Sequence, residues 1–266
     1  MGDTSGGSIS QIKTFLEEEV PGIYVTSIRM GNNTEEDFLS SYFMNLNEQV
    51  SIACRTIASD PKLKNGYNAL GFSQGGQIVR AIAQRCPTPP MLNLISIGGQ
   101  HQGVYGLPRC FGDDSSICDL VRRMLNHGAY ISYVQANLVQ AEYWHDPIQL
   151  DLYREKSVFL ADINNDRKTR NETYKANLLK LSNMVLVKFL NETIVEPKES
   201  EWFEFYADGQ TDKIVSLKDS PLYKEDWIGL KQLDEAGKLK RIAVEGDHLQ
   251  FTLSWFKENI VNVYLK

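Results

Sequence analysis

Gly71-Phe72-Ser73-Gln74-Gly75 constrains the fold of this chain more than any other stretch. A glycine two places either side of a serine lets the backbone turn very tightly from strand into helix, lifting the serine hydroxyl above a sheet edge. In such an elbow the backbone N–H of the next residue, Gln74, helps to bind an oxyanion. The flanks agree: Tyr67-Asn68-Ala69-Leu70 reads as a short buried strand, and Ile78, Ala81, Ile82 and Arg85 recur at helical spacing. A glycine-rich turn carrying a solvated serine would give the same five letters, so the surrounding elements must separate the two.

Those elements follow a β-α-β-α rhythm. Ile9, Ile12, Phe15, Leu16 and Val20 form one stripe of a first helix, capped near Ser8 or Ser10 and ended by Pro21-Gly22. Ile23 to Ile28 alternates as a strand, Asp37 to Ser59 reads as one long helix closed by Asp60-Pro61, and Leu92 to Ile97 is a strand ending in Gly98-Gly99. Further strands are expected at Met184 to Leu190 and Leu239 to Val244, before a terminal amphipathic helix carrying Phe251, Trp255, Phe256 and Ile260. This is the pattern of a mainly parallel sheet with helices on both faces. From Gln100 to about Ser182 the rhythm fails, leaving helices at Asp119 to Tyr130 and Tyr133 to Trp144 and a strand-like piece at Val158 to Ile163. The stretch is longer than a sheet crossover needs. It reads as a mostly helical cap, 100–182, inserted into a core made of 1–99 and 183–266, over the sheet's carboxyl edge where α/β ligand sites sit.

A length of 266 residues suffices for such a core, and a net charge of −6 without a dense Lys/Arg run argues against nucleic acid or an anionic membrane surface as partner. No apolar run approaches the ~20 residues of a spanning helix. The polar, glycine-rich start has no leader and by itself reads as cytosolic. Cysteines and sequons point the other way. Cys54, Cys86, Cys110 and Cys118 lack zinc or redox spacing and allow two disulfides in three connectivities; Cys110–Cys118 with Cys54–Cys86 is favoured, and four reduced thiols are the alternative. Asn32, Asn171 and Asn191 each begin an N-glycosylation sequon.

A serine nucleophile needs a base, and the base needs an acid that fixes its tautomer; in this kind of sheet they follow in the order serine, acid, histidine. His248 lies in a short loop between the last strand and the last helix, the address of the base. His101, His127 and His145 fall in the cap and read as loop or surface residues, with His101 the one rival. Glu192, just beyond the strand ending at Leu190, is the acid; Glu196 competes, but Pro197 suggests that the chain is already leaving the site there. Such a triad needs no metal and no cofactor.

With elbow, acid and base in order, the chain resembles the palmitoyl-protein thioesterases over nearly its whole length. The resemblance rests on Gly71-Phe72-Ser73-Gln74-Gly75-Gly76-Gln77, Ala83-Gln84-Arg85-Cys86-Pro87, the run from Leu94 to Val104, Gln140-Ala141-Glu142-Tyr143-Trp144-His145-Asp146-Pro147, and Glu245-Gly246-Asp247-His248-Leu249-Gln250. It implies an α/β-hydrolase fold with Ser73 and His248 as nucleophile and base. The family's acid is usually aspartate in an Asn-Asp-Ser context, which here reads Asn191-Glu192-Thr193, so an extra methylene must be absorbed by the loop. The favoured cysteine pairing, glycosylation and glycan-dependent sorting to lysosomes are also implied. So are S-acylated proteins or peptides and fatty acyl thioesters as substrates, with the acyl chain in a groove at Trp144, Ile194 and Val195. One departure stands out: the family begins with a signal peptide and a strand into His-Gly-Met-Gly-Asp, of which this sequence has Met1-Gly2-Asp3, followed by Thr4-Ser5-Gly6-Gly7 where the family has paired cysteines. The second oxyanion donor is then expected at Met1. This start motivates an alternative, an N-terminally truncated acyl-binding remnant without catalysis; an oxygen-ester lipase or carboxylesterase is another.

Overall fold

Period-two alternation in four strands directs side chains to two separate cores. In a computed structural model, which describes residues 7–106, 120–121, 123–125 and 128–266, the strands are β1 (Tyr67–Phe72), β2 (Met91–Ile97), β3 (Asn183–Phe189) and, after a small antiparallel ribbon of β4 (Phe205–Tyr206) and β5 (Ile214–Val215), β6 (Leu239–Val244). The sheet order is β1-β2-β3-β6 with every pair parallel, so all four carboxyl ends share one edge. Phe72 pairs with Ile97, Ile97 with Val187 and Val187 with Ile242.

On one face Ile95, Ile97, Val185, Val187, Phe189 and Val244 pack with Leu16 of α1 (Ser8–Glu19) and with Phe256, Ile260 and Val261 of the last helical segment. On the other, Leu94, Met184, Leu186 and Leu239 pack with Leu46, Val50, Ala53 and Ile57 of α3 (Leu46–Ser59), with Ala81 and Ile82 of α4 (Gln74–Arg85), and with residues between β2 and β3 such as Tyr143, Tyr153 and Phe159. A third, smaller cluster of Val121, Leu125, Ala129, Val134, Leu138 and Ala141 touches Tyr42 and Phe43 of α2 (Thr34–Phe43).

Several expectations change in detail. The segment at Ile23 to Ile28 joins no ladder among the described residues, although its alternation does send Val25 to one core and Ile28 to the other. The long helix expected from Asp37 to Ser59 is two, because Asn45 caps a new start with its side chain on the Asn47 N–H while the Glu142 carboxylate accepts the Leu46 N–H. Tyr133 to Trp144 likewise splits into Ser132–Asn137 and Val139–Glu142 about an extended Leu138. The strand-like piece at Val158 to Ile163 contains a helical turn, Leu160–Ile163, whose apolar side chains are buried whole rather than alternately. The helix expected at Asp119 to Tyr130 lies partly outside the described residues. The terminal helix continues past Phe256 as a π-helix, Lys257–Leu265. Among the described residues no helix is long and apolar enough to cross a membrane.

Candidate active site

Ser73 sits between β1 and α4 with φ 51° and ψ −123°, a left-handed conformation that costs a non-glycine residue roughly 1–3 kcal/mol and is held by its surroundings. The Ser73 N–H donates to the Ile97 carbonyl at 2.8 Å, tying the elbow to the neighbouring strand. A Cβ on Gly71 would come within 2.3 Å of the Gly75 carbonyl oxygen, and one on Gly76 within 2.2 Å of Ser96 Oγ, whereas one on Gly75 would meet nothing within 4 Å. Close packing at the elbow therefore rests on Gly71 and Gly76. Gln74 is the first residue of α4, where backbone N–H groups lack intrahelical acceptors and point at an incoming anion.

The loops after β3 and β6 complete the arrangement. His248 Nε2 is 2.9 Å from Ser73 Oγ, and its Nδ1 is 2.5 Å from Glu192 Oε2. An ionised Glu192 can only accept, so Nδ1 carries the proton and Nε2 is free to accept from the serine hydroxyl. Glu192 Oε1 accepts the N–H groups of Ile194 at 2.7 Å and Val195 at 3.0 Å, which fixes the longer side chain. The loop after β3 is laced to the loop after β6: Thr193 donates through its N–H and hydroxyl to Asp247, and the Asn191 N–H donates to the Gly246 carbonyl. Burial would raise the Glu192 carboxyl, but hydrogen bonds from His248, Glu201 and the Val195 N–H, with the histidine charge, hold it below the usual range.

Glu201 is the residue that sequence reading missed. Its side chain has no exposed surface, and its Oε1 lies 4.0 Å from His248 Nδ1. Burial pushes it up to about 10, reinforced by the adjacent Glu192 and opposed by the Phe189 N–H and Lys188. The only signal was an acid immediately before the aromatic run that begins at Trp202-Phe203. Oxygen and nitrogen atoms of Glu192, Glu201 and His248 lie within 4.8 Å of one another. We read the cluster as a hydrogen-bonded relay rather than a cation site, since both ring nitrogens of His248 are engaged within the triad.

The rivals sit elsewhere. His101 is not a surface residue: it is fully buried, with Nε2 2.9 Å from Ser96 Oγ and its ring stacked on Phe203, and burial, then the Arg80 charge, pushes it well below the usual histidine range. His145 is also buried, stacked on Tyr153 and Phe205, and burial lowers it to about 4. An imidazole is a flat amphipathic plate, and here stacking wins over solvation. His127 lies outside the described residues. Glu196 is exposed and accepts from the Tyr206 hydroxyl at 2.8 Å.

Of the other expected positions, Met1, Cys110 and Cys118 fall outside the described residues. Cys54 and Cys86 form a disulfide between α3 and the end of α4. Asn32, Asn171 and Asn191 are all exposed. Val195 is buried and Ile194 partly so, beside the acid; Trp144 is half-buried with its ring 5.4 Å from that of Tyr105. Tyr105 in turn donates its N–H to the Glu196 carbonyl, linking Trp144 to the loop after β3.

A serine at a strand-to-helix elbow of a parallel sheet, with a carboxylate and a histidine in the loops after later strands, is the α/β-hydrolase arrangement. A palmitoyl protein thioesterase family model matches residues 1–248. Palmitoyl-protein thioesterase 1 of Caenorhabditis elegans is 51% identical over 257 residues, covering 97% of this chain and 86% of that one. Palmitoyl-protein thioesterase 3 of Dictyostelium discoideum is 41% identical over 236 residues, covering 89% and 78%. The Lysosomal thioesterase PPT2 homolog of Drosophila melanogaster is 32% identical over 194 residues, covering 71% and 63%. By the length and level of these matches, the chain belongs to the palmitoyl-protein thioesterase family.

Proposed function

We propose that this chain removes long-chain fatty acyl groups, palmitate foremost, from cysteine thioesters of proteins or peptides during lysosomal degradation. The observation that carries the reading is the unbroken hydrogen-bond line from Ser73 through His248 to Glu192 at the carboxyl edge of the sheet. Ser73 Oγ attacks the thioester carbonyl as His248 Nε2 takes its proton, and Glu192 stabilises the imidazolium. The oxyanion is received by the Gln74 N–H, with the backbone at Met1 as second donor. The imidazolium returns its proton to the departing cysteine sulfur. Water, deprotonated by His248, then cleaves the acyl-serine to free the fatty acid.

Residues 100–182 act as a cap on a core of 1–99 and 183–266, and the acyl chain lies along Trp144, Ile194 and Val195. A lysosomal site of action accords with the name of the Drosophila melanogaster relative and with exposed sequons at Asn32, Asn171 and Asn191, through which a glycan-dependent receptor would sort the protein. A fluorophosphonate probe and an S-palmitoyl peptide test the chemistry. Ser73→Ala should lose labelling and lower kcat by about 10⁴-fold or more. Equal labelling of both proteins removes the catalytic reading in favour of acyl binding alone. Faster turnover of an oxygen ester of equal acyl length makes the chain a lipase or carboxylesterase instead.

A further inference from the structure

The triad acid has a second carboxyl beside it, and two facing carboxylates in a dry pocket cannot both keep their charge. A carboxylate oxygen of Glu192 lies within 4.8 Å of one of Glu201, and both side chains are without exposed surface. Glu201 Oε2 accepts the Phe189 N–H at 2.8 Å, while Oε1 meets no N–H or O–H donor among the described residues. That buried oxygen is satisfied only if it bears a hydrogen and gives it to another acceptor. Carboxylate oxygens of Glu192 are the acceptors at hand. Which of the pair keeps the charge follows from the donors aimed at each: Glu192 receives the Ile194 and Val195 N–H groups and His248 Nδ1–H, Glu201 only the Phe189 N–H. The charged and titratable groups facing Glu201 are Glu192 and His248 from the loops after β3 and β6, and Lys188 from β3, whose ammonium sits over the Trp202 ring at 4.0 Å.

We propose that Glu201 is a positioning residue of the triad, a carboxylic acid whose O–H donates to Glu192 and so keeps that carboxylate ionised and aimed at His248. The inference rests on the Ser73-His248-Glu192 assignment and deepens it. Without the donor, the buried Glu192 carboxylate would take up a proton in acid and release its hold on the histidine tautomer. With it, the relay works at a pH where an unassisted buried acid would fail. Burial and the neighbouring charge both favour the protonated form of Glu201.

Glutamine is the decisive replacement, because its amide offers one acceptor to the Phe189 N–H and one donor to Glu192, reproducing the arrangement without a charge. Glu201→Met removes both. With an S-palmitoyl peptide, Glu201→Met should lower kcat roughly 10- to 100-fold at pH 5 with KM within about twofold, a part of the ~10⁴-fold lost when a triad acid is disabled. The acid limb of its kcat profile should move up by about one pH unit or more. Glu201→Gln should recover kcat to within about threefold and return the acid limb to its place, since a neutral donor is restored. If Glu201→Gln falls as far as Glu201→Met, the group works as an anion and the proposal is wrong. If Glu201→Met leaves the acid limb unmoved, the group only fills space. Should Glu201→Met fail to fold, infrared spectra of the parent and Glu201→Gln at pH 7 decide: the parent must show the stretch of a protonated carboxyl that the glutamine variant lacks, and an unchanged spectrum overturns the proposal. Ser73→Ala runs alongside. Full turnover by Ser73→Ala sinks the triad itself, whereas a dead Ser73→Ala with a flat Glu201 series sinks only the role of Glu201.

Discussion

The two faces of the sheet are built by different physics. One is sealed mainly by hydrocarbon: Phe256, Ile260 and Val261 press on Ile95, Ile97, Val185 and Val187, Phe256 is also near Phe15 and Phe251, and a polar tie, Asn93 donating to the Tyr264 carbonyl, lies at the margin. The other has an apolar core too, but α4 meets the segment between β2 and β3 through a buried polar seam. Gln77 donates to the Gln100 carbonyl, Arg80 to the carbonyls of Ile163 and His101 and to Asn164 Oδ1, and Gln84 to the Ile163 carbonyl. Arg80 is fully buried and stacks over Phe203; burial lowers it to about 9, so it stays charged at neutral and acid pH. A hydrophobic face tolerates sliding, whereas directed bonds to carbonyls fix register. The face held by directed bonds is the one that carries α4 and the segment between β2 and β3.

Two substitutions should separate these modes. Phe256→Ala removes a buried aromatic side chain and should cost about 3–5 kcal/mol in denaturant unfolding, spread over the whole molecule. Arg80→Met keeps the bulk and deletes the donors, orphaning the His101 carbonyl and the Asn164 amide oxygen and leaving the Ile163 carbonyl to Gln84 alone, for about 2–4 kcal/mol. Its signature is regional: amide exchange should rise in residues 128–166 while β2 and β3 stay protected. Uniform loss of protection in Arg80→Met would mean that the seam is no weaker link than the core, and the contrast between the faces would fall.

The same contrast decided what the sequence disclosed. β2, β3 and β6 were legible from their Ile, Val and Leu, β3 as an almost continuous apolar run, and so were the elbow and His248, whose places follow from where strands stop. The seam was not legible. Gln77, Arg80 and Gln84 look like an exposed polar stripe, and His101 and His145 look like loop histidines, because burial of a polar side chain depends on carbonyls and rings supplied from far along the chain. Glu201 was hidden for the same reason, twelve residues beyond the Phe189 N–H that it accepts. Glu142 is a further case: read as part of a family motif, it proves to be a buried carboxylate, both of whose oxygens lie 3.1 Å from the Leu46 N–H.

Glu142 gives the polar face a pH dependence. Burial pushes its carboxyl up to about 8, with the Leu46 N–H acting against the shift. A folded-state value above the unfolded one means that the native chain holds the proton longer, so the contribution is fully present below ~4.5 and is lost as pH rises through about 8. Stability from this group is therefore greatest in acid. Glu142→Gln keeps an acceptor for Leu46 and removes the titration, so the fall in Tm between pH 5 and pH 8 should be shallower in the variant, by on the order of 1–4 kcal/mol in unfolding free energy. A slope equal to the parent's would place the charge cost elsewhere, with Glu201, raised for similar reasons, as the next group to replace.

The smallest expected effect concerns the elbow's glycines, where the motif and the packing disagree. Gly75 completes the five-residue pattern, yet a Cβ there meets nothing within 4 Å, while one on Gly76 would run into Ser96 Oγ and come within 3.0 Å of Gly99 Cα, at the edge of the polar seam. Gly76→Ala must push on backbone as well as on a hydroxyl that already holds His101, so it should cost about 1–3 kcal/mol. Gly75→Ala adds a methyl to open space in the first turn of α4 and should be neutral or stabilising by up to about 1 kcal/mol, since alanine leaves less chain entropy to lose. Any loss of thioester turnover in Gly75→Ala at unchanged Tm would then mean that the open space is where the substrate's acyl carbonyl comes down on Ser73, and the second glycine of the motif would be explained by the ligand rather than by the turn.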